Sequence, residues 1–214
     1  MTVSVPREGW VDAELADEFP HLRLVEVTAD HVGGRSTPGA RRWLRRLSSR
    51  FGGPQAIALR QNPIPHAYRV FHRHVGLDPD VQRTPIEAAA MDRLVHGGFR
   101  ARGRLEDALL IALVETGVPV WALDDGALQG ALGLRPAREG ECLGSGDLAH
   151  DLVRGRLVVA DEQDAAAVLF GPVAGGREVT RATARLRLYS VAVDGVPAIH
   201  LEEALDLCLD ALAD

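Results

Sequence analysis

EDALLIALVETGVPVWALDD (residues 106–125) is the stretch on which the fold turns. Its first half holds seven consecutive apolar residues, ALLIALV (108–114), behind Glu106 and Asp107 and ahead of Gly117. Read as a helix over 104–116, that run is apolar on most sides and belongs in an interior. After Gly117 the character changes, and PVWALDD (119–125) reads as a strand. Upstream, Thr37-Pro38 supplies a capping residue followed by proline at the first helical position. Ala40, Trp43, Leu44, Leu47 and Phe51 then form a helical stripe flanked by Arg41, Arg42, Arg45 and Arg46, and Gly52-Gly53-Pro54 is expected to end it. A second helix is expected over 65–75, and Thr84-Pro85-Ile86-Glu87 opens a third as a capping box that runs to Gly97-Gly98. Nearer the start, a short helix over 11–18 and a strand over 21–28 (HLRLVEVT) are expected. Downstream, 155–162 and 165–171 read as a hairpin, 184–193 as a strand and 200–213 as an amphipathic helix. Most helices precede most strands, without regular βαβ alternation, which predicts an α+β fold.

The length of 214 residues suits one domain. No stretch approaches twenty apolar residues, and the acidic N-terminus lacks an apolar core, so neither a membrane span nor a signal peptide is expected. The expectation is a cytoplasmic protein whose Cys142 and Cys208 are buried free thiols. All 24 basic side chains are Arg. The absence of lysine excludes Schiff-base and P-loop lysine chemistry. The net charge of −6 hides a segregation: residues 35–104 carry 14 Arg against four acids. Such a segment in an acidic chain suits an anionic partner such as phosphate or RNA, or else a solvated surface paired with acids elsewhere.

Four ordered segments resemble one family: AYRVFHRHVGLDPDVQRTPIEAAAMDRLVHGG (67–98), the 106–125 stretch, GRLVVADEQDAAAVLFGPVAGGREVT (155–180), and 183–193. Together they are similar to the tRNA-editing (B-three/B-four) domain of the phenylalanyl-tRNA synthetase β subunit, and closer still to free-standing proteins built from that domain. The resemblance covers roughly 56–193, leaving 1–55 as an N-terminal helical extension and 194–214 as a C-terminal helix of the same domain. It implies a β-sandwich of unusual topology flanked by helices, and tRNA or aminoacyl-tRNA as partner, with no DNA, no membrane and no cofactor. It also implies hydrolysis of a mischarged aminoacyl-tRNA ester in trans. The alternative is a non-catalytic module for an RNA 3′ end or a small amino-acid-like ligand.

Carried over residue by residue, the resemblance puts Leu109 and Leu110 where the family has a Thr-Asn pair, and Trp121 where it has a histidine. Tyr189 falls where the family's glutamate reads the tyrosine hydroxyl. Asp124 (or Asp125) keeps the acid that ends the strand, and Gly171, Gly175 and Gly176 keep the glycine loop. These are the candidate substrate-binding residues, and no catalytic residue is assigned. A site that selects a hydroxyl needs a polar partner, so tyrosine is not expected to be chosen in the family's way. A labile ester can be cleaved with a positioned water and backbone donors, which glycines can expose. Arg69, Arg73 and Arg83 are candidate phosphate contacts; Arg83 could instead brace Glu87. His66, His72 and His74 do not make a metal site, because 72 and 74 point about 200° apart on a helix. Asp107 suits either a pocket-orienting role or a helix first-turn charge. Ser145 in CLGSGDLAH lacks the strand and helix a nucleophile elbow needs.

Overall fold

The helix starts written into the sequence are used as helix starts. In the computed structural model, which describes residues 2–31, 33–146 and 149–214, Thr37 Oγ1 accepts from the Ala40 N–H at 3.0 Å. Thr84 and Glu87 form the capping box. Gly97 and Gly117 end their helices in the left-handed conformation that glycine tolerates. In chain order the elements are β1 (Arg7–Glu8), β2 (Trp10–Val11), α1 (Ala13–Glu18), β3 (Arg23–Asp30), α2 (Pro38–Arg50), α3 (Gly53–Ala58), α4 (Pro63–His74), α5 (Pro85–His96) and α6 (Arg104–Thr116). They continue with β4 (Val120–Asp124), β5 (Gly133–Pro136), β6 (Cys142–Leu143), β7 (His150–Asp151), β8 (Leu157–Ala160), β9 (Ala165–Val168), β10 (Arg185–Ala192) and α7 (Ala198–Ala213). The molecule is a mixed α+β fold. No helix among the described residues is long and apolar enough to cross a membrane.

Two compact units interleave along the chain: Met1–His31 with Ala122–Asp194, and Val32–Trp121 with Gly195–Asp214. The first holds nearly all the strands. One four-stranded sheet runs β1-β3-β10-β4 and a second runs β2-β5-β8-β9, with β6 and β7 as a separate ribbon. The long pair is antiparallel β3–β10, in register from Arg185 opposite Asp30 to Ala192 opposite Arg23. The chain crosses from one sheet to the other at Gly9, whose N–H donates to Leu24 O at 2.8 Å. A Cβ there would lie 2.3 Å from Leu132 O, so only glycine fits the crossing. Val158, Ala160, Ala165 and Val168 of the second sheet pack with Ala137, Leu143 and Ala174, and Trp10 lies against this cluster.

The second unit is helical. Helix α6 buries Ala108, Ile111 and Ala112 completely, and α2 and α7 lie against it. The run is less enclosed than seven consecutive apolar residues suggest, because Leu109, Leu110, Leu113 and Val114 are only half-buried. Gly52-Gly53-Pro54 does end α2, but the chain re-enters a helix at once. Gln55 Oε1 accepts from the Gly52 N–H at 2.9 Å and proline takes the first turn of α3. A small cluster of Leu59, Ile86 and Ala90 joins α3 and α5.

Candidate functional site

Alternation along β3 puts Leu24, Glu26, Thr28 and Asp30 on one face of the first sheet. The register places Arg7, Tyr189 and Arg187 beside them, with Tyr189 opposite Glu26. Glu26 is fully buried. Its Oε1 accepts from Arg7 Nε at 2.7 Å, its Oε2 accepts from Arg187 Nη1 at 2.7 Å, and the Leu132 N–H lies 3.3 Å from Oε1. Arg187 also donates to Asp125 Oδ1 and to Gly130 O. Burial opposes the Arg187 charge, but Glu26 and Asp125 outweigh it and hold the guanidinium above its ordinary range. Arg7 is half exposed, so this partner of the buried Glu26 reaches the surface. Tyr189 thus stands beside a carboxylate supplied by the neighbouring strand. Its own phenol is buried, which pushes its pKa up.

Asp124 and the glycine loop come together. The Asp124 N–H donates to Arg177 O at 3.0 Å, and its carboxylate accepts from Thr183 Oγ1 at 2.7 Å and from the Gly126 N–H at 3.0 Å. The Arg177 N–H closes a turn on Ala174 O at 3.0 Å around Gly175 and Gly176. Gly176 has φ 85°, the value a type II turn needs at its third position. Its N–H donates to Glu178 Oε2 at 2.8 Å. Gly171 closes a second turn through its N–H to Val168 O. At the third position of that turn Phe170 has φ 59°, a left-handed conformation that costs a bulky residue about 1–3 kcal/mol. Asp161 braces the region. It accepts from the Gln129, Gln163 and Asp164 N–H groups and from Arg177 Nη1 at 2.6 Å. Burial opposes its ionisation; the three backbone donors and Arg177 prevail and lower its pKa.

The remaining candidates belong to the helical unit. Leu109 and Leu110 are half-buried on α6, and Trp121 is half-buried on β4. Strand alternation gives Trp121 and Asp124 opposite faces of β4. Arg69 is 6% exposed, donating to Glu87 Oε1 at 2.7 Å and to Asp80 Oδ1. Arg73 and Arg83 are exposed, Arg73 lying 3.7 Å from Asp80. His72 is buried with Nδ1 against Tyr68 O, whereas His66 and His74 are exposed. No cluster of metal-ligating side chains occurs among the described residues. Asp107 Oδ1 accepts from the Arg102 N–H at 2.8 Å, fixing the entry to α6. A cleft of ≈ 440 Å³ opens between α3, α4 and the C-terminal turn of α6, walled by Phe51, Leu59, Ile64, Pro65, Val114 and Glu115. Glu115 is held there by Trp43 Nε1 at 2.7 Å and Arg50 Nη2 at 2.9 Å. Leu109 and Leu110 do not line this cleft.

Sequence reasoning passed over Glu26 and Arg187 and named Asp125 only as an alternative to Asp124. A charged residue in an alternating strand reads as the solvent side, and only the register shows that its face is covered. A scan of protein-family models finds no match to this chain, and a comparison with curated proteins finds none either.

Proposed function

We propose that this protein acts in aminoacyl-tRNA quality control, binding the acylated 3′ end of a tRNA in trans as substrate for ester hydrolysis. The observation that carries the reading is the junction at Asp124. The acid ending the second motif shares hydrogen bonds with two segments far along the chain, the glycine turn of the third motif and Thr183 at the start of the fourth. Motifs that meet at one place are what a common site requires. The rest of the support is the ordered resemblance itself and the Arg-rich 35–104 segment. Incubation with a panel of mischarged tRNAs tests it: release of the amino acid above the buffer rate is expected for at least one of them. If none is deacylated and none binds at low salt, the reading is wrong.

A second reading, binding without turnover, has its own support. Leu109, Leu110 and Trp121 offer no acid–base group, the Tyr189 phenol is buried with its pKa pushed up, and the Gly176 N–H is already spent on Glu178. The ≈ 440 Å³ cleft is within the size range of small-molecule sites and sets the polar groups of Gln55, Asn62 and Thr116 among apolar walls. Saturable binding of aminoacyl analogues with a weak salt dependence and no product favours this reading.

A further inference from the structure

Helix α2, PGARRWLRRLSSR, contains five arginines and no acid. Ala40, Leu44 and Leu47 are buried, so its apolar stripe is already covered. Arg41, Arg42, Arg45 and Arg46 occupy the opposite arc, about 140° wide at 100° per residue. All four are exposed, and among the described residues none makes an ion pair, in contrast to Arg50, which meets Glu115 at 2.9 Å. Three like-charged pairs at i,i+3 and i,i+4 lie along this face, each destabilising the bare helix by about 0.2–0.5 kcal/mol. Two of the guanidiniums are held in place. Arg46 stacks over the Trp43 ring at 5.4 Å, with that ring pinned by Glu115, and Arg41 Nε donates to Thr37 O at 3.3 Å. Of the arginines named above for phosphate, Arg73 is exposed on α4 and Arg83 in the loop before α5, and Arg69 is buried in its carboxylate pairs.

We infer that the Arg41–Arg42–Arg45–Arg46 face of α2 is the surface on which the phosphodiester backbone of RNA docks. The inference rests on the proposed tRNA reading and names the part of the protein that holds the RNA body. A repeating anion fits a repeating row of forked cationic donors one helical turn apart, about 5.4 Å. The partner supplies the counter-charge that the helix lacks. A membrane surface fits less well, because an interfacial helix inserts an apolar face and that of α2 is buried in the protein.

The test is binding of a fluorescent, uncharged tRNA transcript to the full chain from 50 to 200 mM salt. Wild type is compared with Arg41→Gln/Arg42→Gln/Arg45→Gln/Arg46→Gln and with a control, Arg138→Gln/Arg154→Gln/Arg181→Gln. All seven positions are exposed, and thermal unfolding checks that each variant folds. With about 0.7–0.9 counterions released per phosphate contact, four contacts add about 3–4 to the slope of log K against log salt. Over that salt range they account for a roughly 50- to 150-fold change in affinity. The quadruple variant is expected to lose that slope and the control to keep it. An unchanged slope in the folded quadruple variant, or an equal loss in the control, overturns the inference while leaving tRNA binding intact. Tighter binding of phosphatidylserine vesicles or polyglutamate than of tRNA overturns the choice of RNA. No tRNA binding by wild type at 50 mM salt overturns both this inference and the functional reading beneath it.

Discussion

Replacing Arg69 with methionine keeps an apolar stem in place and removes the charge that neutralises Glu87. The Glu87 side chain is 7% exposed and accepts from Arg69 at 2.7 Å, from the Thr84 hydroxyl at 3.0 Å and from Arg60 Nε at 3.0 Å. Arg60 is more than half exposed, so the variant keeps only one weakly held, solvent-screened cation beside a buried carboxylate. Removing one partner of a buried pair costs 3–5 kcal/mol, and the surviving Arg60 contact puts the expectation at the lower end, about 3 kcal/mol. In a chain of this size that lowers the melting temperature by roughly 6–12 °C. Thermal unfolding followed by far-ultraviolet circular dichroism reads the shift for Arg69→Met, Glu87→Gln and the double variant. The double variant should cost less than the two singles together by at least about 1 kcal/mol, because the groups share one network. If the proposed tRNA reading holds, the folded fraction of Arg69→Met should match wild type in tRNA affinity, since the guanidinium is already turned inward to Glu87 and Asp80. A shift below about 2 °C, or strict additivity, would refute the buried-pair argument. A loss of RNA affinity in folded Arg69→Met would show that the side chain reaches phosphate after all.

The lowered Asp161 pKa makes stability that is complete above the unfolded carboxylate value, near 4, and lost as pH falls through the folded value. The stability gap between wild type and Asp161→Asn should therefore be wide at pH 7 and close below about pH 4 in thermal unfolding; a gap independent of pH refutes it. Titration with a chromogenic disulfide at pH 8 should find one accessible thiol. Burial pushes Cys208 up to about 12, while Cys142, against the expectation of two buried thiols, lies exposed on the β6–β7 ribbon and is held above its usual range by its hydrogen bond to Asp151. Asp151→Asn should speed the Cys142 reaction, and two fast thiols in native protein would contradict the burial of Cys208. At Gly133 an added Cβ would meet the Trp10 ring 2.0 Å away, so Gly133→Ala should cost about 1–3 kcal/mol in urea unfolding. A neutral result there means Trp10 can turn aside from the second sheet.

The helices were legible because their ends are chemical. Thr37-Pro38, Thr84-Pro85 and Gly117 mark α2, α5 and α6 within a residue or two of where they begin or stop. The strand over 184–193 and the hairpin of β8 and β9 were legible by their apolar content. β1, β2, β6 and β7 are two residues each and carry no periodicity; they exist because a partner strand is beside them. β5, GLRP, begins with glycine and ends with proline, which locally reads as a turn. Interleaving of the two units was invisible as well, since it depends on pairings between distant segments and not on any local composition. At the candidate site, Asp124 and the glycine turn could be named from the motifs. Glu26 could not, because its side was decided by Arg187 and Leu132, more than a hundred residues away.

The pairing of β3 with β10 sets a schedule for biosynthesis. Asp30 leaves the ribosome long before Arg185, its partner in the ladder. At roughly 5–20 residues per second the wait is on the order of 8–30 s. Through that interval LRLVEVTA is a nascent segment with high strand propensity and no mate, and the helical unit is likewise unfinished until α7 emerges to cover α6. The chain therefore gains little protection from folding as it is made, and holding factors that shield early hydrophobic segments should matter more to its yield than to that of a protein whose domains close in sequence order.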